Sequence, residues 1–311
     1  MTILVTGSIA YDTIMVFPDR FRNHLLADQL HILNVCFLTP EMRREFGGTA
    51  GNVGYNLKLL GDDPLLMATV GDDIAPYISR LQAFGIGHAH LKRIPGQFTA
   101  QAFITTDLDD NQITAFHPGA MNCAHENRIT RALGAKLATV SPDGKEGMQQ
   151  HARQCADLGI PFVFDPGQGL PMFSGAELDE FIRLADYIAV NDYEGKLLED
   201  KTGRKFDAIA RDVRALIVTQ GAKGSQIYAG GRRIDIPNVT ADAVIDPTGC
   251  GDAYRAGLLH GIANGWDWDS TGRLGSLMGA IKIAHRGPQN HEPSRDEIAD
   301  RYKKAFGSSP F

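Results

Sequence analysis

Four short apolar runs recur after residue 136, each closing on polar or glycine residues: "LATVSPDG", "IPFVFDPG", "YIAVND" and "ALIVTQG". Segments able to form helices separate them, among them "GMQQHARQCADLG" and "AELDEFIRLAD". A strand that is apolar throughout must be covered on both faces, and strands alternating with helices supply that cover through parallel crossovers. The pattern predicts an α/β fold, a doubly wound, mostly parallel sheet with helices on both faces, and "ILVTGS" near the N-terminus joins the same sheet. Ligands of open sheets of this kind gather at the carboxyl ends of the strands, where the Gly, Asp, Asn and Thr residues fall.

The first 120 residues read differently. "YDTIMVF", "LHILNVCFL", "FTAQAFITTD" and "QITAFHPG" alternate partly with polar residues, and the turn "TDLDDNQ" predicts that the last two form a hairpin. They are read as a small β-sheet lid, from about 12–45 and 97–118, laid over the mouth of a single domain spanning 1–311. With 311 residues, 43% of them hydrophobic, the chain can bury a large core. A net charge of −6 gives no basic field for nucleic acid or anionic lipid, and no apolar run approaches the roughly 20 residues of a membrane span. Cys36, Cys123, Cys155 and Cys250 form no metal-like spacing and read as reduced thiols. With an N-terminus that begins directly as a strand, the expected location is the cytoplasm.

The strongest chemical signal is "VIDPTGCGDAYRAGLLHGI", residues 244–262. A strand-like entry meets Pro247, a glycine turn and then a helical run opening on Asp252. Helix N-termini carry free N–H groups and partial positive charge. Thr248, Gly249, Cys250 and Gly251 are expected to aim amides at one point, able to stabilise a phosphoryl group in transfer. Asp252 would receive the proton of an attacking hydroxyl; a plain N-cap explains the acid but not the whole run. "FGGTAGNVGYNLKLLG" places Gly47, Gly48, Gly51 and Asn52 ahead of a stripe of Val53, Leu57 and Leu60, either as a bare ligand-facing turn or as a tight turn with a capping Asn. In "NDYEGK", Asn191 and Glu194 share a helical face and suit either hydrated Mg²⁺ or a helix cap. Thr219, Gly221 and Gly224 at the end of "ALIVTQG" form either a phosphate-facing nest or a hairpin turn. Neither G-x-G-x-x-G nor G-x-x-x-x-G-K-[ST] occurs, which disfavours a nicotinamide enzyme and excludes a P-loop.

Together "GGTAGN" (47–52), "NDYE" (191–194), "TQGAKG" (219–224) and "DPTGCGDAYRAG" (246–257) resemble, in order and spacing, the ribokinase/PfkB family of carbohydrate and nucleoside kinases. The resemblance implies a ribokinase-like fold with a lid and a phosphotransferase using ATP and Mg²⁺. It makes Asp252 the catalytic base and Gly249, Cys250 and Gly251 the anion hole. Asn191, Thr219, Gly221 and Gly224 would bind ATP, and Glu194 would hold Mg²⁺ through water. Asp12 of "GSIAYD" would grip sugar hydroxyls, with Gly48 and Asn52 beside it. Relatives build a monovalent-cation site from carbonyls where "IAHRGPQ" (283–289) lies, so K⁺ is a further cofactor to examine. Cys250 replaces a commoner Ala, and Arg255 stands where many relatives carry a small or apolar residue, placed either to reach a phosphate or to pair with a surface acid.

"FDPGQGLP" (164–171), "AFHPGAM" (115–121) and "GSIAYD" look most like the bacterial and archaeal nucleoside kinases of the family. The expected reaction is ATP-dependent phosphorylation of the ribose 5′-hydroxyl of inosine, adenosine or guanosine. Phe116 or Phe103 would pack on the purine, and Gln101 and Gln168 would meet its edge; the plainer readings are lid packing and solvated loop glutamines. Asp165, after a strand end, would hold a loop rather than a ligand. The alternatives are a sugar kinase for ribose or a ketohexose, and a catalytically silent nucleoside-binding protein. No nucleic-acid or membrane partner is expected, and the chain would be a monomer or a homodimer paired through the lid.

Overall fold

A computed structural model describes residues 2–25, 34–109, 111–308 and 310–311. The N-terminal half contains strands β1 (Ile3–Thr6), β2 (Ala10–Val16) and β3 (Glu41–Gly47), helix α1 (Thr49–Leu59), β4 (Pro64–Val70), α2 (Ala75–Ala83) and β5 (Gly87–Arg93). Strands β6 (Ala100–Thr106), β7 (Gln112–His117) and β8 (Leu137–Val140) follow. Next come α3 (Lys145–Leu158), β9 (Phe162–Phe164), α4 (Gly175–Leu184), β10 (Tyr187–Asn191), α5 (Asp192–Thr202) and α6 (Phe206–Ile209). The chain closes with β11 (Ala215–Thr219), β12 (Ser225–Ala229), β13 (Arg232–Ile236), α7 (Cys250–Ala263), α8 (Trp268–Ile283) and α9 (Arg295–Phe306).

Nine strands form the main sheet in the order β13-β12-β11-β10-β9-β8-β1-β4-β5. From β11 to β5 all neighbours are parallel, and β12 and β13 add an antiparallel edge. Successive residues of each strand enter opposite cores, as the twofold side-chain period requires. Ile3, Val5, Ala189 and Ile217 pack with α1, α2 and α7, whereas Leu4, Ile188, Val190 and Val218 pack with α3, α4 and α5. That division is the doubly wound architecture, and it explains why these strands read as continuous apolar runs. Helix α1 is buried from Ala50 to Leu57, carries the stripe of Val53 and Leu57, and ends before Gly61 at φ 87°.

The second sheet is small, in the order β3-β2-β6-β7. Strand β2 pairs antiparallel with β3 and parallel with β6, and β6–β7 is an antiparallel hairpin at the predicted turn. One lid strand differs from the sequence reading. "LHILNVCFL" falls partly on 26–33, outside the described residues, and 34–38 is not strand; the strand is "EMRREFG" instead. A lid strand exposed on one face needs little apolar content, so the charged segment could take that place. The register puts Asp12, Ala102 and Phe116 on one face of this sheet and Tyr11, Gln101 and His117 on the other.

Candidate active site

Parallel strands bring their carboxyl ends to one edge, and the glycine turns collect there. Asn191 closes β10 directly opposite Thr219, which closes β11, and Asp165 follows β9. Helix α7 starts at the same edge with Gly249 as its N-cap, at φ 81° and ψ 3°. A Cβ at Gly249 would lie 2.7 Å from Pro288 Cβ, so both the conformation and the space demand glycine.

The turn leaves particular amides open. Thr248 N donates to Asp246 Oδ1 at 2.9 Å and Cys250 N donates to Pro247 O at 3.1 Å. Two of the four N–H groups expected to face a ligand are therefore engaged within the turn. Among the described residues the N–H groups of Gly249, Gly251 and Asp252 have no partner, so the open cluster is shifted one residue toward the helix.

Asp252 sits in the first turn of α7 without capping it. Its Oδ2 accepts from Asn52 Nδ2 at 2.8 Å. Gln289 Nε2 donates to Asn52 Oδ1 at 2.9 Å and to the Tyr77 hydroxyl at 2.7 Å. The Tyr77 hydroxyl donates to Gly47 O at 2.8 Å. The amide of Asn52 is thus oriented by a buried relay and caps nothing; Gly48 is the N-cap of α1. Burial drives the Asp252 pKa up to about 7; the Asn52 bond and the Arg255 charge oppose this, and Asp165 and Asp12 reinforce it.

Asp12 enters from the lid. A Cβ on Gly47 would stand 2.5 Å from Asp12 Oδ2, and one on Gly48 would stand 2.5 Å from Ser8 O. The bare Gly47-Gly48 pair therefore lets the acid and the β1–β2 connection approach closely. Burial, with Glu45 and Asp246 nearby, raises the Asp12 pKa to about 6.

Arg255 is neither on the surface nor free to extend toward a ligand. Only 5% exposed, it places one guanidinium nitrogen 3.0 Å from Asp165 Oδ1 and 3.7 Å from Glu194 Oε2. Asn191 and Glu194 form a reciprocal capping box: Glu194 N donates to Asn191 Oδ1 at 2.7 Å, and Asn191 N donates to Glu194 Oε2 at 2.8 Å. Burial raises the Glu194 pKa, with Arg255 opposing. Among the described residues no cluster of three or more His, Cys, Asp or Glu side chains is built to cage a metal. Among the described residues Glu194 Oε1 carries no hydrogen bond, and a lone carboxylate oxygen of this kind could serve an ion such as Mg²⁺, which takes few protein oxygens beside phosphates and waters.

The remaining expected residues divide. Gly221, at φ 55°, and Gly224, at φ 86°, form the β11–β12 hairpin turn at the same strand edge, with Gly221 exposed. Phe116 is 52% exposed and shares the face of Asp12. Gln101 lies on the opposite face with Phe103, its amide donating to Asp73 Oδ2 at 3.1 Å, so the alternation of the strand takes both away from Asp12. Gln168 is exposed in the 3₁₀ segment Gly167–Met172. Tyr77, Gln289 and Lys282 are buried polar side chains beside the site that have no local signature in the sequence.

With this geometry in place, the chain can be compared with known proteins. The pattern of the pfkB family carbohydrate kinases matches residues 12–295. A nucleoside kinase of Methanocaldococcus jannaschii is 32% identical over 273 residues, 87% of this chain and 90% of that one. The structure of a Burkholderia thailandensis nucleoside kinase in complex with inosine is 55% identical, covers 99% of both chains and superposes with a TM-score of 0.91. The same kinase in complex with ADP-inosine is 56% identical, with a TM-score of 0.88 over 99% of this chain and 97% of that one.

Proposed function

The chain belongs to the pfkB family of carbohydrate kinases, and from that premise we propose that it is a nucleoside kinase. It transfers the terminal phosphoryl group of ATP to the 5′-hydroxyl of a purine nucleoside such as inosine, adenosine or guanosine. The inosine and ADP-inosine complexes of the Burkholderia kinase support this substrate class. The observation that carries the reading is a carboxylate poised near pKa 7 in the first turn of a helix whose leading amides are open.

In this reading Asp252 accepts the proton of the 5′-hydroxyl through its free oxygen, late in an in-line transfer. The open N–H groups at Gly249, Gly251 and Asp252, with the dipole of α7 behind them, steady the charge spread over the phosphoryl oxygens. Cys250 contributes its place in the turn rather than its amide. Asp12 takes the ribose hydroxyls, with Gly47 permitting its approach and Gly48 that of the β1–β2 connection, and Asn52 aims Asp252. Phe116 is the residue of the lid set to meet the base. The strand ends at Asn191, Thr219, Gly221 and Gly224 receive ATP. Glu194 would hold Mg²⁺ through water, and such an ion supplies charge neutralisation at the phosphates.

The free cysteines support a reducing compartment, the cytoplasm. No helix among the described residues is long and apolar enough to cross a membrane. Exposed Met42 and Ile113 on the lid support a homodimer paired there against a monomer, a choice that sedimentation decides. The activity is tested by assaying ATP consumption with inosine, adenosine, guanosine, ribose and fructose side by side. Formation of nucleoside 5′-monophosphates is expected. Action on the free sugars alone would overturn the assignment, and tight inosine binding without turnover would make the chain a binding protein.

A further inference from the structure

A lysine sits where no charge is expected. Lys282, near the end of α8, is 0% exposed. Its ammonium donates to the main-chain oxygen of Asp246 at 2.6 Å and to that of His285 at 3.1 Å. These carbonyls belong to the two segments that build the phosphate-facing turn. Asp246 opens the "DPTGCGD" run, and His285 opens the "HRGPQ" turn that carries Pro288 against Gly249 and Gln289 against Asn52.

The Asp246 carboxylate joins the same two segments, accepting from Thr248 N at 2.9 Å with Oδ1 and from Gly287 N at 2.9 Å with Oδ2. A third tie runs from the N–H groups of Ile245 and Asp246 to Ile283 O. One fixed positive charge therefore lies among converging carbonyls and beside a carboxylate, where the segments carrying Gly249 and Pro288 are tied together. Carbonyl oxygens gathered in this way are what replaces the hydration shell of an alkali cation. Here the charge among them is covalently attached. Burial lowers the Lys282 pKa while the Asp246 carboxylate opposes the fall, so the pair holds charge in a place that water does not reach.

We propose that Lys282 is a tethered cation that braces the phosphate-binding turn, so that this kinase works without K⁺ or any other free monovalent ion. The carbonyls at "IAHRGPQ" do not fit a K⁺ site in this chain, because the ammonium already takes His285 O together with Asp246 O, and Ile283 O already accepts two N–H groups. Lys282 is a positioning residue: it touches no substrate and acts through the turn that Asp246, Gly249 and Pro288 shape. The inference rests on the reading of that turn as the phosphoryl site.

The test compares the full-length protein and Lys282→Ala in buffers of equal ionic strength containing K⁺, Na⁺ or tetramethylammonium. The wild-type turnover, and its calorimetric affinity for a non-hydrolysable ATP analogue, should agree within about twofold across the three salts. Lys282→Ala should lose about tenfold or more in turnover and recover much of it in K⁺ or methylammonium, small enough to enter the vacated space. Its melting temperature without nucleotide should rise when K⁺ replaces tetramethylammonium, whereas that of the wild type should not move. Several-fold activation of the wild type by K⁺ would overturn the proposal, as would a folded variant whose losses are the same in every salt. If the variant does not fold, the wild-type salt series decides alone. A wild type that phosphorylates no nucleoside in any salt would sink the kinase reading instead, while the melting shift of the variant would still report on the cation.

Discussion

Helices α5 and α7 both begin at the carboxyl edge of the sheet and both point their N-termini into the same crevice, yet they finish those termini in opposite ways. Helix α5 closes itself: Asn191 and Glu194 satisfy each other's amides in a capping box. Helix α7 starts from a left-handed glycine that offers no side chain, and the first acid after it is turned to Asn52 rather than back onto the helix. A capped terminus is stable and has little left for an anion; a bare one costs stability and retains its donors. The difference separates two jobs within one cleft. On the proposed reading the end of α7 is kept for charge that appears during reaction, while at the end of α5 Glu194 turns Oε2 toward Arg255, 3.7 Å away.

Replacing the acid of the open terminus should have the largest effect. Asp252→Asn should lower kcat by about 10³-fold while leaving inosine affinity within a few-fold, measured by steady-state kinetics and calorimetry. Because the folded-state pKa of Asp252 lies near 7, above its ordinary value, the ionised form that would accept the proton in the proposed reaction is lost as pH falls. The kcat/KM of the wild type should drop about tenfold per unit below about pH 7, and a flat profile would remove Asp252 as the base. The same raised pKa means that the charged acid opposes folding above its unfolded pKa, so Asp252→Asn should also raise the melting temperature, by roughly 2–4 °C.

Next in size is the residue that lies between the two termini. Arg255→Met leaves Asp165 buried without its cation, and the variant should unfold about 3 kcal/mol more easily in urea. A loss below about 1 kcal/mol would show that the pair is not what balances the acids under the crevice. The smallest effect belongs to the closed terminus. Asn191→Ala should remove about 1 kcal/mol of stability and reduce turnover less than tenfold. A loss of turnover as deep as that of Asp252→Asn would erase the contrast between the helices.

What the sequence displayed depended on how local each structural cause is. The α7 turn was legible because its glycines and its proline act on their immediate neighbours, and so were the buried strands, whose apolar runs record cover on both faces. Arg255 was visible as a departure but not as a buried ion pair, since Asp165 is 90 residues away and the contact depends on tertiary packing. Tyr77, Gln289 and Lys282 were invisible in the same way: each makes its decisive contact with a distant segment, and no spacing marks a buried amide or ammonium. The lid was the least legible. "EMRREFG" pairs along the whole of β2 although its sequence is mostly charged, while the more apolar "LHILNVCFL" supplies no described strand. Gln101 is expected at the purine edge only through the nucleoside-kinase resemblance, and the alternation of β6 puts it on the face opposite Asp12.

The relay from Tyr77 through Gln289 and Asn52 gives the two oxygens of Asp252 unequal standing. Oδ2 is anchored by the amide, and among the described residues Oδ1 is left with no bond. On the proposed reading an incoming alcohol finds a single vacant seat, and its hydrogen has only one address. The asparagine that fixes this asymmetry is itself steadied by a glutamine more than 200 residues along the chain.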